Sequence, residues 1–304
     1  MVTHKFLDGN EAAAWGAVYS RPDLVVVFPI TPNTTLGNTL ALLHARGIYK
    51  GGIINCEGEH TVMTICGGSS AAGARTFTSS SSQGIVYMEE LIWAVAGYRL
   101  PIVMAICNRS IGNPGGLLPT HSDSLLQRDT GWLQIYLENA QEAFDSVIQC
   151  FKITEDERVY LPMIFAMDGY VLTSCAMPVE MPDQEEVDDF LPPYKHKYIS
   201  LDPDNPPRLA PAFGVEVETE IRYQMEMAQE NAKTVIEEVD REYAKRFGRS
   251  WGGMIEEYKT EGARGVLITM GSITGTARYV IDKMRAEGKP IGLVKLRSFR
   301  PFPT

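Results

Sequence analysis

The stretch that decides the fold runs from Ile53 to Gln83 and reads IINCEGEHTVMTICGGSSAAGARTFTSSSSQ. Its pattern predicts a strand, an acidic turn, a helix rich in Gly, Ser and Ala, another strand and a polar loop. Glu57, Glu59 and His60 follow the first strand directly. Because open α/β sheets bind ligands at the carboxyl ends of their strands, these side chains are candidates for a site. Alternatively, the two carboxylates only place negative charge in the first turn of a helix, where it interacts favourably with the helix dipole.

Apolar runs and helical stretches alternate along the first half of the chain. Strands are predicted at Asp23–Phe28, Gly52–Cys56, Arg75–Thr78, Pro101–Cys107, Trp132–Tyr136 and Leu161–Met167. The helices between them include one capped by Asn10, one at Thr61–Ala74 and one at Gly84–Tyr98. This alternation favours an α/β fold with a doubly wound, mostly parallel sheet.

The composition changes after residue 174. Prolines and the acidic run Asp183–Asp189 predict an extended arm at 174–215, which docks on the domain or on a partner, and a long charged helix at 216–247. One βαβ unit follows from Gly265. Its Gly271–Gly275 turn resembles a phosphate loop only loosely, and a helix cap is the favoured interpretation. Because one such unit cannot bury a sheet alone, we expect domains at 1–261 and 262–304, the second cut short or completed from elsewhere.

Composition excludes several classes of function. The chain has 304 residues with 44% hydrophobic and 22% charged residues, which is typical of a globular protein. The net charge of -10 disfavours nucleic-acid binding. The absence of a membrane-length apolar run and of a signal peptide predicts a cytoplasmic protein with no membrane partner. The five cysteines form no CxxC pair, which argues against a zinc or iron–sulfur site on this chain.

Candidate site residues lie on loops that should meet at the strand ends. The loops are Pro29–Asn33, Cys56–His60 and Asn108–Asp123, and they offer a hydroxyl, a carboxylate and a guanidinium from Thr31, Glu59 and Arg109. Ser79–Gln83 adds polar donors. Arginine suits a bidentate grip on a carboxylate or phosphate. No Ser-His-Asp spacing and no metal-ligand spacing stands out, so no metal site is predicted.

Several segments, taken together, carry a resemblance to a known family. They are FPITPNT, CEGEHTVMTICGGSSAAGARTFTSSSSQG, LPIVMAICNRS, HSDSLLQRDTGWLQIY, DQEEVDDFLPPY, FGR and RSFRPFP. In this order they resemble the α subunit of the 2-oxoacid:ferredoxin oxidoreductases, and the likeness to the pyruvate:ferredoxin type is close. The resemblance covers essentially the whole chain, which makes it far more specific than any single motif.

The resemblance implies a thiamine diphosphate enzyme that converts a pyruvate-like 2-oxo acid to acyl-CoA and CO₂. Residues 1–261 then form a pyrimidine-binding domain, and 262–304 form part of a transketolase-C-like domain. Glu59, the second acid of the E-x-E-H motif, matches the family's activating glutamate, which protonates the aminopyrimidine ring. Thr31 and Arg109 match the substrate-contacting residues, for the carbonyl and the carboxylate respectively. Pro29 falls where the loop backbone approaches the cofactor.

The resemblance also implies partner subunits. The G-D-G…N pattern for Mg²⁺ and diphosphate is missing from this sequence, and so are the Cys-rich ferredoxin segments. A β subunit is expected to supply Mg²⁺, the diphosphate site and a [4Fe-4S] cluster. A δ-like ferredoxin subunit would carry further clusters, and a γ subunit would complete the complex. The final acceptor, ferredoxin or NAD, stays open.

Alternatives remain for the substrate and for the class of function. The loop NRSIGNPGGLLPTHSDS places Gly115, Gly116, Leu117 and Leu118 where pyruvate enzymes commonly carry bulkier residues. A larger acid such as phenylglyoxylate is therefore one alternative, and a neutral loop variation is the other. A non-catalytic scaffold subunit is a hypothesis of another class, against which the complete Thr31, Glu59 and Arg109 set argues. An acyl or CoA transferase is disfavoured, because no glycine-rich phosphate loop follows the first strand.

Overall fold

The computed structural model describes residues 2–112, 114–198, 203–204, 206 and 214–304. Its strands are β1 (Thr3–Leu7), β2 (Leu24–Val27), β3 (Gly52–Asn55), β4 (Thr76–Ser80), β5 (Val103–Asn108), β6 (Leu133–Tyr136), β7 (Met163–Asp168), β8 (Met177–Met181), β9 (Ile255–Tyr258), β10 (Gly265–Thr269), β11 (Ile291–Leu296) and β12 (Ser298–Arg300). Its helices are α1 (Gly9–Tyr19), α2 (Thr34–Ala45), α3 (Glu59–Ala71), α4 (Gln83–Tyr87), α5 (Glu89–Gly97), α6 (Ser122–Leu125), α7 (Ala140–Thr154), α8 (Gln184–Phe190), α9 (Val215–Phe247) and α10 (Ile273–Ala286). None of the helices in these ranges combines the length and apolar character that crossing a bilayer requires.

The main sheet has seven strands in the order β12-β6-β7-β5-β4-β2-β3. All neighbours pair in parallel except β12, which runs antiparallel to β6. Every residue of β5 and β7 is buried, as their near-continuous apolar runs predict for strands covered on both faces. The predicted α/β class and doubly wound, mostly parallel sheet are confirmed.

The first helix begins differently from the prediction. Asp8, and not Asn10, is the cap: its Oδ1 accepts from the Glu11 N–H at 2.8 Å, and its own N–H donates to Glu11 Oε2 at 3.1 Å. The glutamate three positions after Asp8 completes this capping box and so decides between the two capping residues. Asn10 is buried instead and donates to the Pro32 carbonyl at 2.8 Å.

Two further boundaries differ from the prediction. The helix predicted at Gly84–Tyr98 is two helices, α4 and α5, which meet at Met88. The arm predicted as extended contains β8, which pairs antiparallel with β1, and α8 on the acidic run. Asp183 caps α8 through a capping box, which explains why the acidic run is helical. The prediction for residues 199–202, 205 and 207–213 lies outside the described residues.

A second sheet, in the order β10-β11-β9, follows the long helix α9. The predicted βαβ unit is present as β10, α10 and β11, with β10 and β11 parallel. The sequence did not predict β9, which joins β11 antiparallel, or the return of β12 to the main sheet. Fully buried charged side chains join the end of β11 to α7. Lys295 Nζ lies 2.7 Å from Glu142 Oε2, and Arg297 Nε lies 3.0 Å from Glu142 Oε1.

Candidate active site at the strand ends

The carboxyl ends of β2, β3, β4 and β5 meet at one edge of the main sheet. Val27 of β2 is in register with Asn55 of β3 on one side and with Ser79 of β4 on the other. The loops that follow these three strands are therefore neighbours. Asn33 fastens the loop after β2 to the end of β4, because its Nδ2 donates to Ser79 Oγ at 3.2 Å. Its Oδ1 accepts from the Ile30 N–H at 3.3 Å. The structure therefore brings the predicted loops together.

Glu59 is the first residue of α3 and is only 7% exposed. Its carboxylate lies against the Cα of Gly84, where an added Cβ would be 2.5 Å from Glu59 Oε1 and would also strike Ser80 Oγ. Within the described ranges no donor forms a hydrogen bond with this carboxylate, and the buried Ser80 Oγ is also unpartnered. Unlike Ser80 Oγ, the Glu59 oxygens are not completely shut off from solvent, so a donor that this chain does not itself provide can reach them.

Glu57 has a different environment, although it is only two residues away. It is exposed and accepts a hydrogen bond from Thr61 Oγ1, which holds the pKa of Glu57 below its usual value. His60 lies 3.7 Å from the exposed Glu90 carboxylate. Glu57 therefore stabilises the first turn of α3, while Glu59 faces the interior of the site.

Arg109 follows β5 and lines a cleft of about 310 Å³. Its Nη2 donates to Gln83 Oε1 at 2.9 Å, while its buried Nε has no hydrogen-bond partner among the described residues. The remaining lining comes from Ser110, Gly115, Gly116 and Leu117. A guanidinium with an unused buried N–H is suited to an anionic ligand.

Thr31 and Pro29 lie exposed on the loop after β2. No hydrogen bond in the described part of the chain joins either of them to Glu59 or Arg109. The structure therefore places all these residues at one edge of the sheet, but contacts do not assign Thr31 or Pro29 a role.

Asp123 is a site residue that sequence reasoning named only as part of a loop. It is fully buried and accepts hydrogen bonds from the N–H groups of Ser82 (2.9 Å), Arg109 (3.1 Å) and Ser124 (3.0 Å), and from Asn108 Nδ2 (2.7 Å). The available signal was an aspartate between two serines at the end of a Gly/Pro loop, since such residues often bind nearby backbone.

Asp168, at the end of β7, joins this edge to the second sheet. Its Oδ1 lies 2.5 Å from His121 Nε2, and its Oδ2 accepts from the N–H and hydroxyl of Ser272 at 2.8 and 2.5 Å. Burial raises the pKa of Asp168, but these hydrogen bonds outweigh it and hold the pKa below its usual value. The Asp168 carboxylate lies at the Gly271–Gly275 turn, which begins α10, as the helix-cap interpretation expects, although Ser272 makes no capping hydrogen bond with its own side chain.

Comparison with known families identifies the class of this fold and site. Residues 15–241 match the family described as "Pyruvate flavodoxin/ferredoxin oxidoreductase, thiamine diP-bdg". Residues 263–304 match "Pyruvate:ferredoxin oxidoreductase core domain II". The fold is thus that of a thiamine diphosphate-binding α/β enzyme subunit. The chain belongs to the pyruvate flavodoxin/ferredoxin oxidoreductase family, as the α subunit of a 2-oxoacid:ferredoxin oxidoreductase.

Curated relatives carry both substrate names raised by the sequence. The pyruvate synthase subunit PorA of Methanocaldococcus jannaschii is 44% identical over 300 residues, which are 98% of this chain and 77% of that protein. The NADH-dependent phenylglyoxylate dehydrogenase subunit alpha of Aromatoleum evansii is 40% identical over 303 residues, covering 97% and 73%. The predicted resemblance is therefore confirmed at the level of the family.

A solved structure has the same fold. It is the 2-oxoglutarate:ferredoxin oxidoreductase from Magnetococcus marinus with 2-oxoglutarate, coenzyme A and succinyl-CoA bound. The TM-score is 0.74 at 18% identity, over 99% of this chain and 55% of that chain. At this identity the similarity supports the fold, and it carries no residue-level assignment.

We expect Gly84→Ala to reduce the activity of the assembled enzyme by about a hundredfold, which is what a 1 Å displacement within an active site can cost. The new Cβ collides with the Glu59 carboxylate and Ser80 Oγ, so Glu59 must move. Steady-state kinetics of the complex measure the effect. Gly68→Ala, in the same helix as Glu59, is the control because its Cβ meets nothing within 4 Å. Equal activity of both variants would show that Gly84 does not support the site.

Proposed function

We propose that this chain, together with partner subunits, catalyses the thiamine diphosphate-dependent oxidative decarboxylation of a 2-oxo acid to acyl-CoA and CO₂. The observation that carries the proposal is the nearly buried Glu59 side chain, whose carboxylate forms no hydrogen bond with any donor in the described residues. A carboxylate without a donor from its own chain, next to a glycine Cα that leaves space beside it, suits a flat heterocycle with a basic nitrogen. The complete arrangement also argues against a non-catalytic scaffold, which would not need it.

The residues present fit the cofactor at two points: Glu59 would hold a proton at its carboxylate for a ring nitrogen, and Gly84 would leave space beside that carboxylate. The backbone at Pro29 is proposed to flank the ring on the family resemblance alone. When bound, thiamine diphosphate supplies the electron sink that decarboxylation needs. The near-complete burial of Glu59 favours its hydrogen bond, because a low local dielectric strengthens such interactions.

Arg109 and Thr31 are proposed to hold the substrate. The unused Arg109 Nε lies beside Nη2, which Gln83 already orients, so the guanidinium is prepared to bind the carboxylate of a 2-oxo acid. Thr31 would donate its hydroxyl to the 2-oxo group. Both residues lie at the edge of the sheet that contains Glu59.

A bulky 2-oxo acid is a second candidate substrate, because Gly115 and Gly116 contribute no side chains to the cleft. The relative named for phenylglyoxylate supports this alternative. Assaying the purified complex with pyruvate, branched and aromatic 2-oxo acids, and with ferredoxin and NAD as acceptors, decides between them. A kcat/KM that is highest for pyruvate would exclude the bulky acid, and activity with none would contradict the proposed function.

The partners and domains form part of the same proposal. A β subunit would supply Mg²⁺, the diphosphate site and a [4Fe-4S] cluster, and δ-like and γ subunits would complete a cytoplasmic complex. Support comes from relatives that are named as subunits. Residues 1–261 would form the pyrimidine-binding domain, and 262–304 part of a transketolase-C-like domain. The separate sheet β10-β11-β9 supports a second unit, although its strand β9 (Ile255–Tyr258) lies before residue 262 and β12 returns to the main sheet.

We expect Arg109→Ala to raise the KM for the 2-oxo acid by about tenfold to a hundredfold, as loss of a charged hydrogen bond worth ~1.5–3 kcal/mol implies. The Kd for thiamine diphosphate should change little, because Arg109 binds substrate in this proposal. Substrate kinetics and cofactor titration of the complex measure the two effects. Arg128→Ala, which removes a half-exposed arginine, is the control. An unchanged KM would remove Arg109 from the substrate site.

A further inference from the structure

We infer that Asp123 is the positioning residue that fixes Arg109 and Gln83 in one cleft. The inference rests on the proposed function, in which Arg109 binds the substrate carboxylate. Asp123 itself need not touch substrate or cofactor. It would act through the backbone N–H groups of Arg109 and of Ser82, the residue before Gln83.

The contacts of Asp123 divide evenly between its two oxygens. Oδ2 accepts from the backbone N–H of Ser82, after β4, and from that of Arg109, after β5. Oδ1 accepts from Asn108 Nδ2 and from the Ser124 N–H. One fully buried carboxylate therefore ties together the ends of two neighbouring strands and the start of α6. These are the segments that carry the cleft residues.

The Ser82 contact also sets the direction of the chain into Gln83. Ser82 has φ 50° and ψ −122°, a backbone conformation that non-glycine residues rarely adopt without support. The hydrogen bond from its N–H to Asp123 supplies part of that support, together with the bond from Ser82 Oγ to the Ser110 carbonyl at 2.6 Å. Gln83 Oε1 then accepts from Arg109 Nη2, so the amide and the guanidinium orient each other.

A purely structural role would stabilise the loop without affecting substrate binding selectively. Asp123→Asn separates the two possibilities, because an amide has one acceptor oxygen in place of two. In either orientation of the amide, two of the four donors face an NH₂ group. The loop ends should loosen, and Arg109 should lose its fixed position relative to Gln83.

The experiment compares Asp123→Asn with wild type in two measurements on the full complex. Hydrogen–deuterium exchange should be faster in peptides covering residues 80–86 and 106–112, which contain the Ser82 and Arg109 amides. The KM for the 2-oxo acid should rise by about tenfold to a hundredfold, as small misplacement of a binding group implies. The KM for CoA should stay within about twofold of wild type, the range of a neutral substitution.

Asp129→Asn is the matched control, since Asp129 is exposed and lies outside the cleft. If Asp123→Asn does not fold, Asp123→Glu replaces it, because it keeps the charge and displaces the carboxylate by one methylene. Unchanged exchange in both peptides, or an unchanged 2-oxo acid KM, would overturn the inference. The outcomes are distinguishable: activity of the wild-type complex with no 2-oxo acid contradicts the proposed function, and an unchanged KM in Arg109→Ala removes Arg109 from the substrate site. Normal exchange in Asp123→Asn contradicts only the positioning role.

Discussion

Glu59→Gln is expected to lower the kcat of the assembled enzyme by about 10²- to 10⁴-fold, the range for loss of a general acid. The Glu59 side chain is nearly buried and its carboxylate has no hydrogen-bond donor among the described residues, so it is free to share a proton with a bound ring nitrogen. Glutamine has the same size but holds no transferable proton. The fold and the assembly should therefore survive while turnover is lost.

Steady-state kinetics and size-exclusion chromatography of the complex test this expectation. Glu57→Gln is the matched control: the same chemical change is made two residues away, on an exposed carboxylate bonded to Thr61. Its kcat should stay within about twofold of wild type, as for most exposed positions. Near-normal turnover by Glu59→Gln would remove Glu59 from the chemistry.

The largest effect on stability is expected at Glu142. Its carboxylate pairs with Lys295 and Arg297, all three side chains are fully buried, and its Oε2 also accepts from the Glu138 N–H at 2.7 Å. Removing one member of a buried ion pair costs about 3–5 kcal/mol. Glu138, 3.3 Å from Lys295, and Asp240, 4.0 Å from Arg297, would compensate only part of the lost charge, because both distances are longer than those to Glu142. Glu142→Ala should therefore destabilise the junction between α7 and β11 strongly.

The midpoint of urea unfolding, followed by tryptophan fluorescence, measures this loss. Trp251 lies close to the junction, with Lys295 Nζ 5.4 Å from its ring centre. Glu287→Ala is the control, since Glu287 forms an exposed ion pair with Lys289 that should be worth about 0–1 kcal/mol. If both variants unfolded at the same urea concentration, the buried network would not hold the junction.

Local signals explain what the sequence predicted correctly. The Asp23–Phe28 run is β-branched and apolar, which favours a strand covered on both faces, and β2 occupies Leu24–Val27 there. The small residues after His60 predicted the helix that is α3. The polar loops after the strands predicted the edge of the sheet at which Glu59 and Arg109 lie. These features depend on neighbouring residues, so a pattern in the sequence is sufficient to find them.

Long-range contacts explain what the sequence did not predict. Asp123 gains its importance from donors on Ser82 and Arg109, which are 41 and 14 residues away. Glu142 meets Lys295 across 153 residues, and β12 returns to β6 through pairing that no local pattern indicates. The environment that distinguishes Glu59 from Glu57 likewise depends on Gly84, which lies against Glu59 only in the folded chain.

The central claim is that Glu59 activates the cofactor, and one measurement tests it independently of substrate and electron acceptor. The rate at which bound thiamine diphosphate exchanges its C2 proton for deuterium is measured by acid quench and NMR in wild type and in Glu59→Gln. We expect exchange to be about 10²- to 10⁴-fold slower in Glu59→Gln, because the variant cannot supply a proton to the ring. Equal exchange rates in the two proteins would contradict the claim.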